Sequence, residues 1–518
     1  MDLFIKLLFL TVFFGVMIFV GFSCRKHATD VNGFVLGGRN VGPWLTAFAY
    51  GTSYFSAVVF VGYAGQFGWK YGIASTWVGI TNALLGSLLA WSVLGRRTRI
   101  MTQHLGANTM PKFFEERFAS RNMKIISSAI IFIFLIPYTA SLYNGLSRLF
   151  AMAFDIDYAV CVIIMAVLTG VYVIAGGYMA TAVNDFIQGI IMLGGIIAVV
   201  GAVLKTNGGF MNALTALAKV EDPAVSEAPG AFASFFGPDP LNLFGVMILT
   251  SLGTWGLPQM VQKFYSIKSE DDISKGTLIS TLFAFVVAGG CYFLGGFGRL
   301  YADKVNIAAD GYDAVIPAML EGLPTVLVAV VLVLVLSASM STLSSLVLAS
   351  SSTLTLDFLK DLRKKKMDEK EQIFIMRVLI VVFILISVIL AILQYRSNVT
   401  FIAQLMGVSW GALAGAFLAP FLYGLYWKRT TETACKVSFF FSCVVMMLNV
   451  FFRGSFPALL QSPINAGAFC MLAGLVLVPV ISLFTKSPDS ALVQNVFSCY
   501  DRKVLVNVKD AIGEAVSE

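Results

Sequence analysis

Apolar runs of about twenty residues recur from one end of this 518-residue chain to the other. A run of that length, folded as an α-helix, spans the roughly 30 Å hydrocarbon core of a bilayer. The composition agrees, because 58% of the residues are hydrophobic and 13% are charged, whereas a soluble protein has about 25% charged residues. Too few charges remain to cover a surface in water. This excludes a multidomain soluble protein and indicates an all-α polytopic membrane protein.

Charged, glycine-rich and proline-rich breaks divide the chain into thirteen predicted membrane-spanning helices. They lie near residues 3–23, 45–67, 73–95, 123–150, 157–176, 181–204, 241–265, 276–299, 323–356, 372–394, 400–426, 434–452 and 464–485. We therefore predict one transmembrane domain over residues 1–485 and a short cytoplasmic tail over residues 486–518.

The distribution of basic residues orients these helices. With the N-terminus outside and the C-terminus in the cytoplasm, the predicted cytoplasmic segments are residues 24–44, 95–124, 262–276, 357–378, 427–436 and 486–518. They hold 27 of the 36 Lys and Arg residues, the excess that is typical of cytoplasmic loops. Membrane topology therefore explains the net charge of +7, and no nucleic-acid partner is expected.

Two predicted helices contain a polar, glycine-containing break at mid-depth. The second has YGTSYFS over residues 50–56, and the seventh has GTWGLPQ over residues 253–259. Interrupted helices in corresponding halves indicate the midplane binding site of an inverted-repeat transporter, because unwound backbone frees carbonyls and amides for ligands. The two repeats would be helices 2–6, about residues 45–204, and helices 7–11, about residues 241–426. The alternative is a pair of glycine kinks without a ligand.

Hydroxyl groups are concentrated in the ninth predicted helix. Ser341, Ser344 and Ser345 share one helix face, and Thr342 borders it. Na⁺ is a hard cation that binds oxygen, and neutral oxygens suffice where water is excluded. Single hydroxyls often bond back to helix carbonyls or let helices pack closely instead. As a cluster, these four favour a Na⁺ site.

Asp185 places a carboxylate about one turn inside the sixth predicted helix. An ionisable group within a membrane span is a functional hypothesis by default, because burying it without compensation is costly. It would either bind a cation or complement the N-terminal end of its helix.

Catalytic chemistry is not indicated. The two histidines, His27 and His104, lie in predicted loops, and the predicted helices contain neither paired carboxylates nor a metal-ligand spacing. We therefore expect no enzymatic activity, no transition metal and no cofactor. The expected partners are a small solute, Na⁺ and the lipid bilayer, with no obligate protein partner. An ion channel or a solute sensor is the alternative class, although a channel filter would need a repeated ring of carbonyls or charges.

Four segments carry a family resemblance. They are GGRNVGP over residues 37–43, AVNDFIQ over 182–188, GLPQMVQKF over 256–264 and ASMSTLSSLVLASSSTLTLD over 338–357. They resemble the sodium/solute symporter family, which includes bacterial sodium/proline and sodium/galactose symporters. The resemblance covers about residues 3–485. It implies the leucine-transporter type fold with extra helices at both ends, and coupling of inward Na⁺ flow to solute uptake.

The resemblance also implies sodium ligands. A shared sodium site would use the backbone carbonyls of Thr52, Phe55 and Ala338 and the hydroxyls of Ser341 and Thr342. Some members have a second sodium site, and its matching residues here are Asp185, Ser341, Ser344 and Ser345. Either one or two Na⁺ ions per solute are compatible with this pattern.

The solute pocket departs from the family patterns. Tyr138 alone matches the proline pocket, and the sugar-binding Glu and Gln positions fall on Thr76 and Val59. The candidate solute-binding residues are Tyr54, Tyr138, Thr254, Trp255 and Gln259. The predicted function is Na⁺-coupled import of a small polar solute, such as proline, across the cell membrane, with a bacterial inner membrane favoured by the short loops. Alternative solutes are a sugar or an organic acid such as a monocarboxylate, pantothenate or a sialic acid.

Overall fold

The computed structural model describes residues 2–154, 157–363, 367–397 and 402–501. Throughout these ranges the regular structure is helical, apart from isolated bridges such as the one between Val41 and Ile267. Residues 502–518 of the predicted tail, and the first residues of the helix predicted from 400, lie outside the described residues.

The principal helices follow the predicted spans closely. They are α1 (Asp2–Ser23), α2 (Pro43–Tyr54), α3 (Ala64–Tyr71), α4 (Thr76–Thr81), α5 (Arg96–His104), α6 (Arg121–Phe154), α7 (Tyr158–Thr206), α8 (Pro240–Gly256), α9 (Pro258–Ser266), α10 (Glu270–Gly295), α11 (Thr325–Thr353), α12 (Glu369–Ser397), α13 (Ile402–Tyr426), α14 (Glu432–Phe451) and α15 (Pro463–Phe484). Segments of π-helix precede α3 at Val58–Tyr63 and join α4 to α5 at Asn82–Leu89 and Trp91–Gly95.

The described part of the chain contains ten helical runs that are long and apolar enough to cross a membrane, or eleven if the bent pair α8 and α9 is one span. This confirms the all-α, multi-pass membrane class. Two of the runs, Val58–His104 and Tyr158–Thr206, have 47 and 49 residues, so each is roughly 70 Å long as helix, about twice what one crossing needs. Within the second, Gly177 leaves helical geometry with φ 56° and ψ −146°, between the predicted fifth and sixth helices.

Both predicted helix breaks are present. After α2, Phe55 is extended, with φ −84° and ψ 113°, before the chain becomes helical again. After α8, Leu257 has φ −77° and ψ 123°, and α9 begins at Pro258 at an angle of 45° to α8. Pro258 lacks the N–H that would continue the helical bonding, which explains why this break falls where it does.

The third predicted helix continues beyond its predicted end. The charge pattern predicts a loop from residue 95, but the chain stays helical through α5 to His104. Arg is a good helix former, so the charges that mark the end of the apolar run do not end the helix. The basic segment that follows the span is consequently a rigid helix that can hold its neighbours in place.

The predicted cytoplasmic segments meet at one end of the bundle. The Arg39 guanidinium donates hydrogen bonds to the Tyr265 carbonyl (3.2 Å), Thr102 Oγ1 (3.3 Å) and Asn108 Oδ1 (3.3 Å). Burial and the neighbouring charge of Arg99 lower the pKa of Arg39 to about 10, so its charge persists at neutral pH. These bonds join the first three predicted cytoplasmic segments.

The other segments that are predicted to be cytoplasmic have contacts at the same end. Lys124 pairs with Asp361 at 2.6 Å, and the Tyr500 hydroxyl donates to the Arg97 carbonyl at 3.1 Å. Arg117 Nε donates to the carbonyl of Gly424 at the end of α13. Arg117 Nη2 also donates to the Trp427 carbonyl at 3.1 Å. The segments predicted to be cytoplasmic are thus in contact with one another, while the side of the membrane that they face stays a prediction.

A polar cavity of about 400 Å³ lies at the opposite end. Its walls include Gln66, Lys70, Asp239, Asn465 and Arg453. One end of the bundle is thus held closed by hydrogen bonds across several segments, while the other end has a polar vestibule.

Replacing Arg39 with Ala should loosen the closed end. Hydrogen bonds from a charged donor are worth about 1.5–3 kcal/mol each, and Arg39 holds the segment in which Val41 N donates to the Ser266 carbonyl and Lys268 N donates to the Val41 carbonyl. We expect amide hydrogen exchange at Val41 and Lys268 to become at least about tenfold faster in Arg39→Ala.

Arg429→Ala is the matched control, because Arg429 donates to the Leu483 and Thr485 carbonyls, away from the Val41 segment. It should leave exchange at Val41 and Lys268 unchanged. Equal exchange rates in wild type and Arg39→Ala would contradict the assignment of Arg39 to this closure.

Candidate functional site

The break after α2 supplies unpaired backbone carbonyls. In the last helical turn the Gly51 carbonyl still accepts from Phe55 N, but the carbonyls that follow it have no helical amide four residues further on to bond with. Two hydroxyls of α11 bond to them instead. Ser341 Oγ donates to the Thr52 carbonyl at 3.2 Å, and Thr342 Oγ1 lies 3.1 Å from the Thr52 carbonyl and 3.3 Å from that of Phe55.

The Ala338 carbonyl completes this group of oxygens. It lies 3.2 Å from Ser341 Oγ and 3.0 Å from Thr342 Oγ1. All five residues predicted for the shared sodium site are therefore adjacent, and each is fully buried. A hard cation bonding oxygen at about 2.4 Å sets neighbouring ligands about 3.4 Å apart, close to the spacing found here. We call these oxygens of Thr52, Phe55, Ala338, Ser341 and Thr342 the five-oxygen cluster.

At the second predicted sodium site, the structure places a side chain that was not among the predicted ligands, that of Lys263. Lys263 Nζ donates to Ser345 Oγ at 3.0 Å and lies 3.7 Å from Asp185 Oδ2. Ser344 Oγ bonds to the Ser341 carbonyl in its own helix at 2.9 Å. A lysine ammonium is therefore in contact with two of the four predicted ligands.

Asp185 does not lie at a helix end. It follows Gly177, where the helix is interrupted, by eight residues, and its side chain is fully buried. The dipole effect of a helix N-terminus falls off within the first turn, so Asp185 is too far along to act as a terminal charge. Its charged neighbour is Lys263.

Sequence reasoning missed Lys263. It falls both at the end of the predicted seventh helix, 241–265, and in the predicted cytoplasmic segment 262–276, whose charge it contributes to. In the structure, α9 carries Lys263 into the interior, where it is 2% exposed. The available signal was its position five residues beyond Pro258, within the segment that resembles the family. Charge alone gave no indication that it faces inward.

Two candidate solute-binding residues share a neighbour that was also missed. The rings of Tyr54 and Tyr138 lie 6.4 Å and 5.9 Å from the ring of Trp410 on α13. All three side chains are buried. Their hydroxyl and indole N–H groups have no hydrogen-bond partner among the described residues, and neither do the two amide atoms of buried Gln259. These polar atoms are suited to a bound solute.

Thr254 and Trp255 have different surroundings. The Thr254 hydroxyl donates to the Gly86 carbonyl and Trp255 Nε1 to the Leu85 carbonyl, each at 2.9 Å. Their polar groups are thus satisfied by the π-helical segment that follows α4. Their role in solute binding remains a prediction.

Comparison with known proteins identifies the family. The model of the sodium:solute symporter family matches residues 34–438. A sodium/proline symporter of Staphylococcus aureus is 31% identical over 434 residues, which are 82% of this chain and 81% of that protein.

Solved structures share the fold. A Na⁺-coupled sialic acid symporter in a substrate-bound, outward-open state superposes with a TM-score of 0.75 at 15% identity, covering 94% of this chain and 98% of that one. Mhp1, a nucleobase-cation-symport-1 family transporter, gives a TM-score of 0.51 at 13% identity, covering 89% and 97%. Both are of the leucine-transporter type that the resemblance implied. Because the family model matches most of its length, the chain belongs to the sodium:solute symporter family and is a multi-pass cell membrane protein that carries out Na⁺-coupled solute symport.

Proposed function

We propose that the chain imports a small zwitterionic solute, an amino acid such as proline, together with Na⁺ bound at the five-oxygen cluster. The main support for this proposal is the contact between the hydroxyls of α11 and the backbone carbonyls at the break after α2. Three carbonyls and two hydroxyls converge there in a buried position. Neutral oxygens at this spacing suit a monovalent hard cation, which needs no carboxylate when water is excluded.

The proposed solute site adjoins the same break. Tyr54 lies in the last turn of α2, and its aromatic neighbours Tyr138 and Trp410 offer apolar faces with unpaired polar atoms. Gln259 lies at the start of α9. The N-terminal end of a half-helix carries partial positive charge and commonly faces an anionic substrate group. The solute's carboxylate would bind there, while its apolar part would contact the rings.

The choice of an amino acid is supported by the relatives named sodium/proline symporters. Thr254, Trp255 and the other candidates include no charged side chain, which suits a solute without net charge. Sugars and organic acids are the alternatives that a binding screen separates.

Transport would follow alternating access. The proposed topology has thirteen spans: the described residues give eleven when α8 and α9 count as one span, and the two longest runs are each long enough for a second crossing. The distribution of basic residues places the N-terminus outside. In this topology the Arg39 contacts close the cytoplasmic end and the polar cavity faces outward. Na⁺ would stabilise the outward-facing state by joining α2 to α11, and release of Na⁺ and solute would follow opening of the inner end.

Removing a ligand from the five-oxygen cluster should weaken Na⁺ binding. We expect Ser341→Ala and Thr342→Ala each to raise the Na⁺ concentration for half-maximal binding by about tenfold or more, since a hydrogen-bonding group on a charge is worth about 1.5–3 kcal/mol. The measurement is ²²Na⁺ binding to the purified protein.

Ser352→Ala is the control on the same helix, because the Ser352 hydroxyl bonds to the Ala349 carbonyl and is not part of the cluster. It should leave Na⁺ binding unchanged. Unaltered Na⁺ affinity in both cluster variants would refute the proposed site.

The solute should be found by a thermal-shift screen of the purified protein in Na⁺ and in K⁺. We expect proline or a related amino acid to raise Tm in Na⁺ but not in K⁺, because a ligand that binds the folded state stabilises it.

Tyr138→Phe and Gln259→Ala should each raise the solute Kd by about fivefold or more while ²²Na⁺ affinity stays the same, since each removes a polar group worth about 1 kcal/mol or more. Stabilisation by sugars or non-amino acids alone, or full solute affinity in both variants, would contradict the assignment.

A further inference from the structure

Lys263 is a buried cation inside the predicted second sodium site. It is 2% exposed, and Asp185 opposite is fully buried. Nζ is 3.0 Å from Ser345 Oγ and 3.7 Å from Asp185 Oδ2. The ammonium therefore lies where a cation shared by these two oxygens would sit.

The charges at this position are already balanced. Among the described residues, Asp185 forms its ion pair with Lys263, and neither Asp185 oxygen accepts a hydrogen bond. The ammonium also lies over the ring of Tyr178, with Nζ 5.1 Å from the ring centre. One carboxylate and one ammonium give no net charge. A Na⁺ ion added here would leave an uncompensated positive charge in the interior, which is unfavourable.

The ammonium also connects to the five-oxygen cluster. Ser345 Oγ lies 2.8 Å from Ser53 Oγ, and Ser53 is the neighbour of Thr52, whose carbonyl belongs to the cluster. Lys263 on α9 thus contacts α11 directly and α2 through one hydroxyl. Because the lysine is covalently attached to α9, its charge stays with the protein when solute and Na⁺ leave.

We propose that the Lys263 ammonium takes the place of a second sodium ion, so that this chain binds and transports one Na⁺ per cycle. The inference rests on the proposed function, since the single ion is the one bound at the five-oxygen cluster. Two of the residues predicted for the second site, Asp185 and Ser345, instead hold a fixed cation that supports the contact of α9 with α11.

The test counts bound ions. Purified wild-type protein at saturating ²²Na⁺ should bind one ion per chain. Lys263→Met removes the charge but retains an apolar side chain of similar length, and it should bind two, because Asp185 and Ser345 become available. Lys263→Met/Asp185→Asn should return to one ion. Lys268→Met, which removes an exposed lysine from the residues after α9, should stay at one.

The outcomes separate this inference from the proposed function. Two ions in wild type, or one ion in Lys263→Met, would overturn the role of Lys263 and leave the five-oxygen cluster standing. No bound ion in wild type would overturn the proposed function itself. If Lys263→Met does not fold, Lys263→Gln is counted in its place, and the wild-type count alone decides between one ion and two.

Discussion

Backbone carbonyls that are freed inside a membrane protein must find a partner there, and the centre of this structure depends on that requirement. Phe55 ends α2 in an extended conformation, which leaves carbonyls without helical amides. Ser341 and Thr342 bond to these carbonyls from α11. A cation bound between α2 and α11 would satisfy the same carbonyls. The helix break therefore exposes backbone carbonyls, and the hydroxyl-rich helix α11 supplies the groups that bond to them.

Much of this arrangement could be predicted from the sequence because it depends on local chemistry. Apolar length located the spans, proline and glycine located the breaks, and a cluster of hydroxyls marked the face of α11. The family resemblance was needed to propose the carbonyls of Thr52 and Phe55 as ligands, since backbone groups leave no trace in side-chain patterns. Lys263 and Trp410 were missed because their importance comes from packing between distant segments. Nothing in the local sequence of a basic residue near a span end reveals which way it points.

The break between α8 and α9 serves a different contact from the break after α2. It brings α9 to α11, where Lys263 meets Ser345, while Gln259 at the other end of α9 has unpaired amide atoms. One short helix thus connects the proposed solute site with the fixed cation. Movement of α9 would alter both contacts together, which provides a physical route by which solute occupancy could affect the closed end near Tyr265.

The closure at the Arg39 end has a chemical property of its own. Its arginines donate largely to backbone carbonyls: Arg39 to Tyr265, Arg99 to Ile267 and Arg117 to Gly424. Carbonyl oxygens do not titrate, and arginine keeps its proton throughout the physiological range. These contacts should therefore hold equally well in acidic and in neutral surroundings. The arginine–carbonyl contacts thus give this closure a part that does not depend on the charge of any carboxylate, beside the Lys124–Asp361 ion pair at the same end.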